Sequence, residues 1–174
     1  MKTLKRLHRL SKLGMSTLDK QRRISTNDVF YLWTQLVQRY FVTHLTEIFA
    51  SIARDEDLKL ILVYGKRVLV KNIELLEKKM IENGIPLPTR PPKNTELTER
   101  LEIVTDRHIF RRVLRRIQSF LPTHTMALTH SISPENRDIF MTFLDKEMKL
   151  YDKFLEYGKL KGYLLEPPVY KLHE

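Results

Sequence analysis

The chain has no cysteine and only five glycines in 174 residues. Without a thiol there is no disulfide framework, no thiolate zinc site and no cysteine nucleophile. Gly65, Gly158 and Gly162 are isolated, so no glycine-rich loop exists to cradle a phosphate or a dinucleotide. No apolar run approaches the roughly 18 residues of a membrane span; Lys and Arg break the longest ones. Acid is scarce at the N-terminus. Residues 1–27 hold eight Lys/Arg against Asp19, which is +7 of the formal +10, so the other 147 residues carry only +3. Hydrophobic residues make up 42% of the chain. That is enough to build the core of one domain and excludes wholesale disorder.

The basic arm, residues 1–24, opens MKTLKRLHRLSKLG. Leu4, Leu7, Leu10 and Leu13 alternate with Lys5, Arg6, Arg9 and Lys12. A short amphipathic helix of this kind suits a membrane surface, an acidic partner or nucleic acid. The same composition also suits a transit peptide. The simplest reading is a terminal extension, upstream of a natural start at Met15.

Four helices follow. Ser25 and Asp28 form a capping box, with Ile24 and Val29 spaced as a hydrophobic staple. Phe30, Trp33, Val37, Phe41, Leu45, Ile48 and Ile52 then keep the helical period, predicting a first long helix over 25–54 with that stripe in the core. Asp55-Glu56-Asp57 place negative charge where a second helix, 56–83, begins. Gly84 ends it, with Ile85 folding back. A third helix, 103–131, uses Phe110, Val113, Leu114, Ile117, Phe120 and Leu121; Pro122 should kink or divide it. Ser133-Pro134 cap a fourth, 134–162, and residues 167–174 form a tail. No strand pattern competes.

Residues 84–102, GIPLPTRPPKNTELTERLE, are stiff and extended. Seven polyproline-like residues cover roughly 22 Å, so this link can run most of the way along a bundle. A linker between half-domains is the alternative. A short, long, short order of connections gives two antiparallel hairpins joined by a crossover. The predicted fold is therefore all-α, a ferritin-like four-helix bundle with a proline-rich crossover between the second and third helices.

Ferritin-like metal sites use Glu-x-x-His, because i and i+3 share a helical face. The chain contains none; His44 and Glu47 stand in the reverse order. No metal ligand set, catalytic residue or cofactor is predicted. At 100° per residue, His44, Asn72, Glu147, Asp106 and His124 fall on the predicted core faces. The first three lie within roughly 8 Å along the axis, and His124 about 10 Å away. These residues define a candidate central polar layer of His44, Asn72, His124 and Glu147. It reads as a hydrogen-bonded network, or as an altered metal or small-ligand site. Arg107, Arg111, Arg112, Arg115 and Arg116 form a basic face on the third helix, read as solvated or facing an acidic partner.

GIPLPTRPPK after the second helix, Ser-Pro-Glu-Asn-Arg-Asp before the fourth, and a terminal Lys-Gly-Tyr-Leu-x-x-Pro-Pro resemble a family. It is an uncharacterised ferritin-like family of endospore-forming bacteria, labelled as spore coat proteins and similar to spore coat protein F. The resemblance covers about residues 20–172 and leaves the basic arm outside. It implies the bundle fold and a sporulation context. Its members often carry two bundles in tandem, so a single bundle leaves room for a homodimer. The expected function is then a non-enzymatic structural or interaction protein, made in the cytoplasm and incorporated into the spore coat, with a second copy or other coat proteins as partners. The competing readings are a metal-binding or oxidative bundle and a nucleic-acid or membrane-surface binder acting through residues 1–24.

Overall fold

The computed structural model describes residues 3, 6, 7, 10, 11, 13–91 and 104–168. The second half of the proline-rich link, part of the arm and the last residues of the tail lie outside the described residues; the third long helix, expected from Ile103, begins only at Asp106, because Thr105 caps it by accepting from the His108 N–H. Among the described residues from Thr17 onward there are five helices and no strand: α1 Thr17–Arg23, α2 Thr26–Ile52, α3 Glu56–Glu82, α4 Asp106–His130 and α5 Pro134–Leu160.

Local chemistry sets the helix ends. Ser25 caps α2, its hydroxyl accepting from the Asp28 N–H at 3.1 Å. Asp55 caps α3 by accepting from the N–H groups of Asp57 and Leu58. Gly84, at φ 65°, lets the Ile85 N–H return to the Met80 carbonyl at 2.9 Å, closing α3 with a glycine C-cap. Pro134 opens α5. Pro122 does not divide the third helix; α4 runs unbroken through it. Pro122 is exposed, as is Gln118 one turn earlier, so the carbonyl deprived of a partner lies on the wetted side.

α2 and α3 pack as one hairpin, α4 and α5 as another, and the two meet chiefly along α2 and α4. Aspartates tie them at both ends. Asp28, 1% exposed, accepts from the Ser131 hydroxyl and from Asn136 Nδ2 at 2.9 Å. At the opposite end Asp106 accepts from the N–H groups of Arg54 at 2.8 Å and Asp55 at 3.0 Å. The start of α2 therefore lies beside the end of α4, and the end of α2 beside the start of α4.

Two apolar clusters fill the interior. One joins Leu32, Leu36, Leu76, Met80 and Phe140; the other joins Leu58, Leu62, Ile109, Phe110 and Phe154. Each fully buried side chain of this size stabilises the fold by about 1.5–3 kcal/mol.

Most of the α2 stripe expected in the core points the other way, although Ile52 at its end packs against the second cluster. Phe30, Trp33 and Phe41 are exposed, and Val37, Leu45 and Ile48 are half-buried. The buried face carries Asp28, Tyr31, Leu32, Gln35, Leu36, Arg39 and Tyr40. The physical reason is that α2 is apolar on both sides. Polar ties fix its rotation: Asp28 is tied to the second hairpin, and Gln35 to α4.

Candidate functional site

Between the two apolar clusters lies a polar layer drawn from α2, α4 and α5. Arg39, 2% exposed, has only donors. Its Nη1 donates to Gln35 Oε1 at 2.7 Å, which fixes the orientation of that amide. Gln35 Nε2 must then donate to His124 Nδ1, 2.9 Å away. That leaves the His124 proton on Nε2, aimed at Glu147 Oε2 at 3.9 Å. At that distance the contact is electrostatic and too long for a hydrogen bond. The order Arg39, Gln35, His124, Glu147 is thus a directed relay in which each partner sets the next.

The Arg39 guanidinium also lies over the Phe143 ring at 4.1 Å and the Phe120 ring at 5.3 Å. Burial brings it down to about 10, with the Glu147 carboxylate opposing, so it is charged at neutral pH. Burial lowers His124 as well; Arg39 adds to that, while Glu147 opposes it. A positive neighbour and a dry setting both keep the imidazole neutral.

The structure brings His124 and Glu147 together. His44 and Asn72 are half-buried. His44 shares the outward side of α2 with Val37, seven residues away and about 20° round the helix. Gln35 and Arg39 are the members that sequence reasoning missed. Their signal was a Gln and an Arg one turn apart and close in angle to Leu32, but the Phe/Trp stripe on the opposite face outweighed it.

Asp106 is an end tie. A second polar knot surrounds Asp55: Tyr163 donates to it at 3.0 Å, and Lys161 bridges Asp55 and Asp57 at 3.0 and 2.8 Å. Burial raises Asp55, but hydrogen bonds from Lys161, the Leu58 N–H, Tyr163 and the Asp57 N–H outweigh it and hold the carboxyl at about 2. The basic face of α4 is partly engaged. Arg111 donates to the Tyr163 carbonyl at 3.0 Å, Arg112 to His108 at 3.2 Å, and Arg116 covers Phe41.

Among the described residues no group of three or more His, Cys, Asp or Glu could hold a metal ion, and no helix is long and apolar enough to cross a membrane.

The profile of the family described as Protein of unknown function (DUF3231) matches residues 13–174. No curated protein matches the sequence. A candidate spore coat protein from Bacillus halodurans C-125 has a similar solved structure: 24% identity and a TM-score of 0.77, over 85% of this chain and 96% of that one. A conserved hypothetical protein from Mycobacterium tuberculosis is similar at 10% identity and a TM-score of 0.65, over 76% of this chain and 98% of that one. Both likenesses are likenesses of fold.

Proposed function

Starting from a chain that belongs to the DUF3231 family, we propose that it is a non-catalytic structural protein of the spore coat, built on a ferritin-like bundle. The end ties support the ferritin-like topology. α3 finishes beside the start of α2, where Gln21 of α1 donates to the Gly84 carbonyl at 3.1 Å. α4 begins at the other end, where Asp106 holds Arg54 and Asp55. The end of α3 and the start of α4 therefore lie at opposite ends of the bundle, as the crossover of such folds requires. The spore coat context rests on the sequence resemblance and on the neighbour from Bacillus halodurans.

A single observation carries the structural reading. Where a ferritin-like bundle offers inward carboxylates and imidazoles to two cations, this one places the guanidinium of Arg39, permanently positive at neutral pH and 2% exposed. Among the described residues Glu147 is the one carboxylate in the layer, and His124 Nδ1 is already taken by Gln35. A divalent cation here would meet like charge at close range in a medium that screens it weakly. These residues do not fit the metal pair of such folds; they make a filling joined by the Arg39–Gln35–His124 hydrogen bonds and the His124–Glu147 electrostatic contact instead.

The test is localisation. A fluorescent fusion produced during sporulation of an endospore-forming host should form a ring around the forespore that fractionates with the coat. Signal spread evenly through the cytoplasm, with none in the coat fraction, would contradict the reading.

A further inference from the structure

Resting on that structural reading, we infer that the outward face of α2, with the C-terminal half of α4 beside it, is the interface for a second copy of this chain. Charge is nearly absent from this face. Charged residues are 30% of the chain, so a stretch of 18 should hold about five. Val29–Thr46 of α2 holds one, Arg39, and that one is buried. Residues 117–134, from α4 into the start of α5, hold none. Outward positions of α3 and α5 are by contrast rich in Lys, Glu and Asp. Depletion of charge with enrichment of aromatics and Met is the composition of an interface core, not of a wetted surface.

The two stretches are neighbours. Tyr31 of α2 lies against His130 of α4, and Arg116 covers Phe41. Phe30, Trp33, Phe41 and Met126 are exposed by 58, 43, 48 and 51%. Eighteen residues at 1.5 Å make a strip of about 27 Å. Two helices with their side chains are roughly 20 Å wide. That footprint is on the order of 500 Å² per partner and about 1,000 Å² for a pair, the lower bound for a specific interface.

Pattern selects the occupant. Apart from Arg116 over Phe41, the face offers little charge to an oppositely charged partner, but it does suit itself. A two-fold axis requires that residue i meet j while j meets i. Outward positions 30, 33, 37, 41 and 44 have spacings of 3, 4, 4 and 3, which read the same in both directions about Val37. Antiparallel packing of α2 on its copy therefore sets Val37 against Val37 and Trp33 against Phe41. It also sets the arginines of α4 beside the uncharged end of the partner's α4, so like charges are kept apart.

The experiment uses the full chain. Sedimentation equilibrium at about 50 µM should give twice the chain mass of 20.8 kDa. Trp33, the one tryptophan, should shift to the red on dilution as its ring becomes wetted. Trp33→Glu and Phe41→Glu should give a monomer with unchanged helicity, whereas Leu60→Glu on the outward face of α3 should leave the dimer intact. Because the chain lacks cysteine, Val37→Cys should crosslink copies under mild oxidation, with Leu60→Cys as the silent control. A monomeric wild type, a dimer indifferent to both glutamates, or faster crosslinking at position 60 would overturn the interface. Such a failure leaves the coat localisation untouched, and a cytoplasmic fusion would leave the dimer untouched, so the two ideas fail separately.

Discussion

Two glycines inside helices should respond with opposite signs to one substitution. A Cβ built on Gly65, in α3, meets nothing within 4 Å. Gly65→Ala removes backbone entropy from the unfolded chain and adds no clash. It should stabilise the protein by about 0.5–1 kcal/mol. A Cβ on Gly158, in α5, would stand 2.0 Å from Phe110 Cζ and 2.7 Å from both Cε atoms. Ordinary carbon contact is about 3.5–4.0 Å, so the ring would have to retreat by roughly 1.5 Å. It has nowhere to go. Phe110 is fully buried and stacked on Phe154 at 4.7 Å, with Tyr163 at 5.9 Å and Tyr157 at 6.1 Å. Overpacking of this kind costs about 3 kcal/mol, and helix propensity returns about 1. Gly158→Ala should therefore destabilise by about 2 kcal/mol, lowering Tm by roughly 4–8 °C in a domain of this length. Urea unfolding followed by circular dichroism measures both variants. A further variant, Phe110→Leu, should shrink the penalty of Gly158→Ala when the two are combined, since the obstructing ring is gone. Equal stabilisation by the two alanines would refute the packing of α5 on α4.

Other consequences are as direct. Burial keeps His124 below its ordinary value in the folded state, so the unfolded chain binds its proton first. Stability should fall as pH drops below about 6.5, and His124→Gln should flatten that slope; an unchanged slope would contradict the buried neutral imidazole. Asp28 and Asp55 are depressed, because hydrogen bonds outweigh burial. Their contribution is present above about pH 4 and is lost toward pH 2, a window separate from that of His124. A double-mutant cycle of His124→Gln and Glu147→Gln should give a coupling of about 0.5 kcal/mol or more, and zero coupling would break the end of the relay. Removing residues 1–15 should leave Tm within about 2 °C, since even α1, which follows them, has no buried residue; a loss of about 10 °C would mean that the arm packs on the bundle.

Four helix ends were legible in the sequence because their caps are local; the Thr105 cap of α4 and the whole of α1 were not. Ser25, Asp55, Gly84 and Pro134 each act within a few residues of where they stand. The rotation of α2 was not legible. Its two faces differ little in hydrophobicity, and long-range polar ties decide between them: Asp28 to Ser131 and Asn136, Gln35 to His124. Arg39 went unread for the same reason, since nothing local says that a lone arginine has Phe143 and Gln35 waiting in the interior. Angle and level alone picked out His124 and Glu147 as inward candidates on their own helices. His44 was picked out with the aromatic stripe, and the stripe faces outward.

A buried arginine, Arg39, fills the middle of this bundle, where the proposed ferritin-like fold would place cations. Metal analysis of the full chain, purified without added metal and then equilibrated with ferrous iron or manganese, tests this filling most directly. Much less than one tightly held transition metal per chain is expected, with no change in Tm on adding either ion. Stoichiometric iron or manganese that survives gel filtration and raises Tm would contradict that expectation, because Arg39 and a divalent cation cannot share that layer.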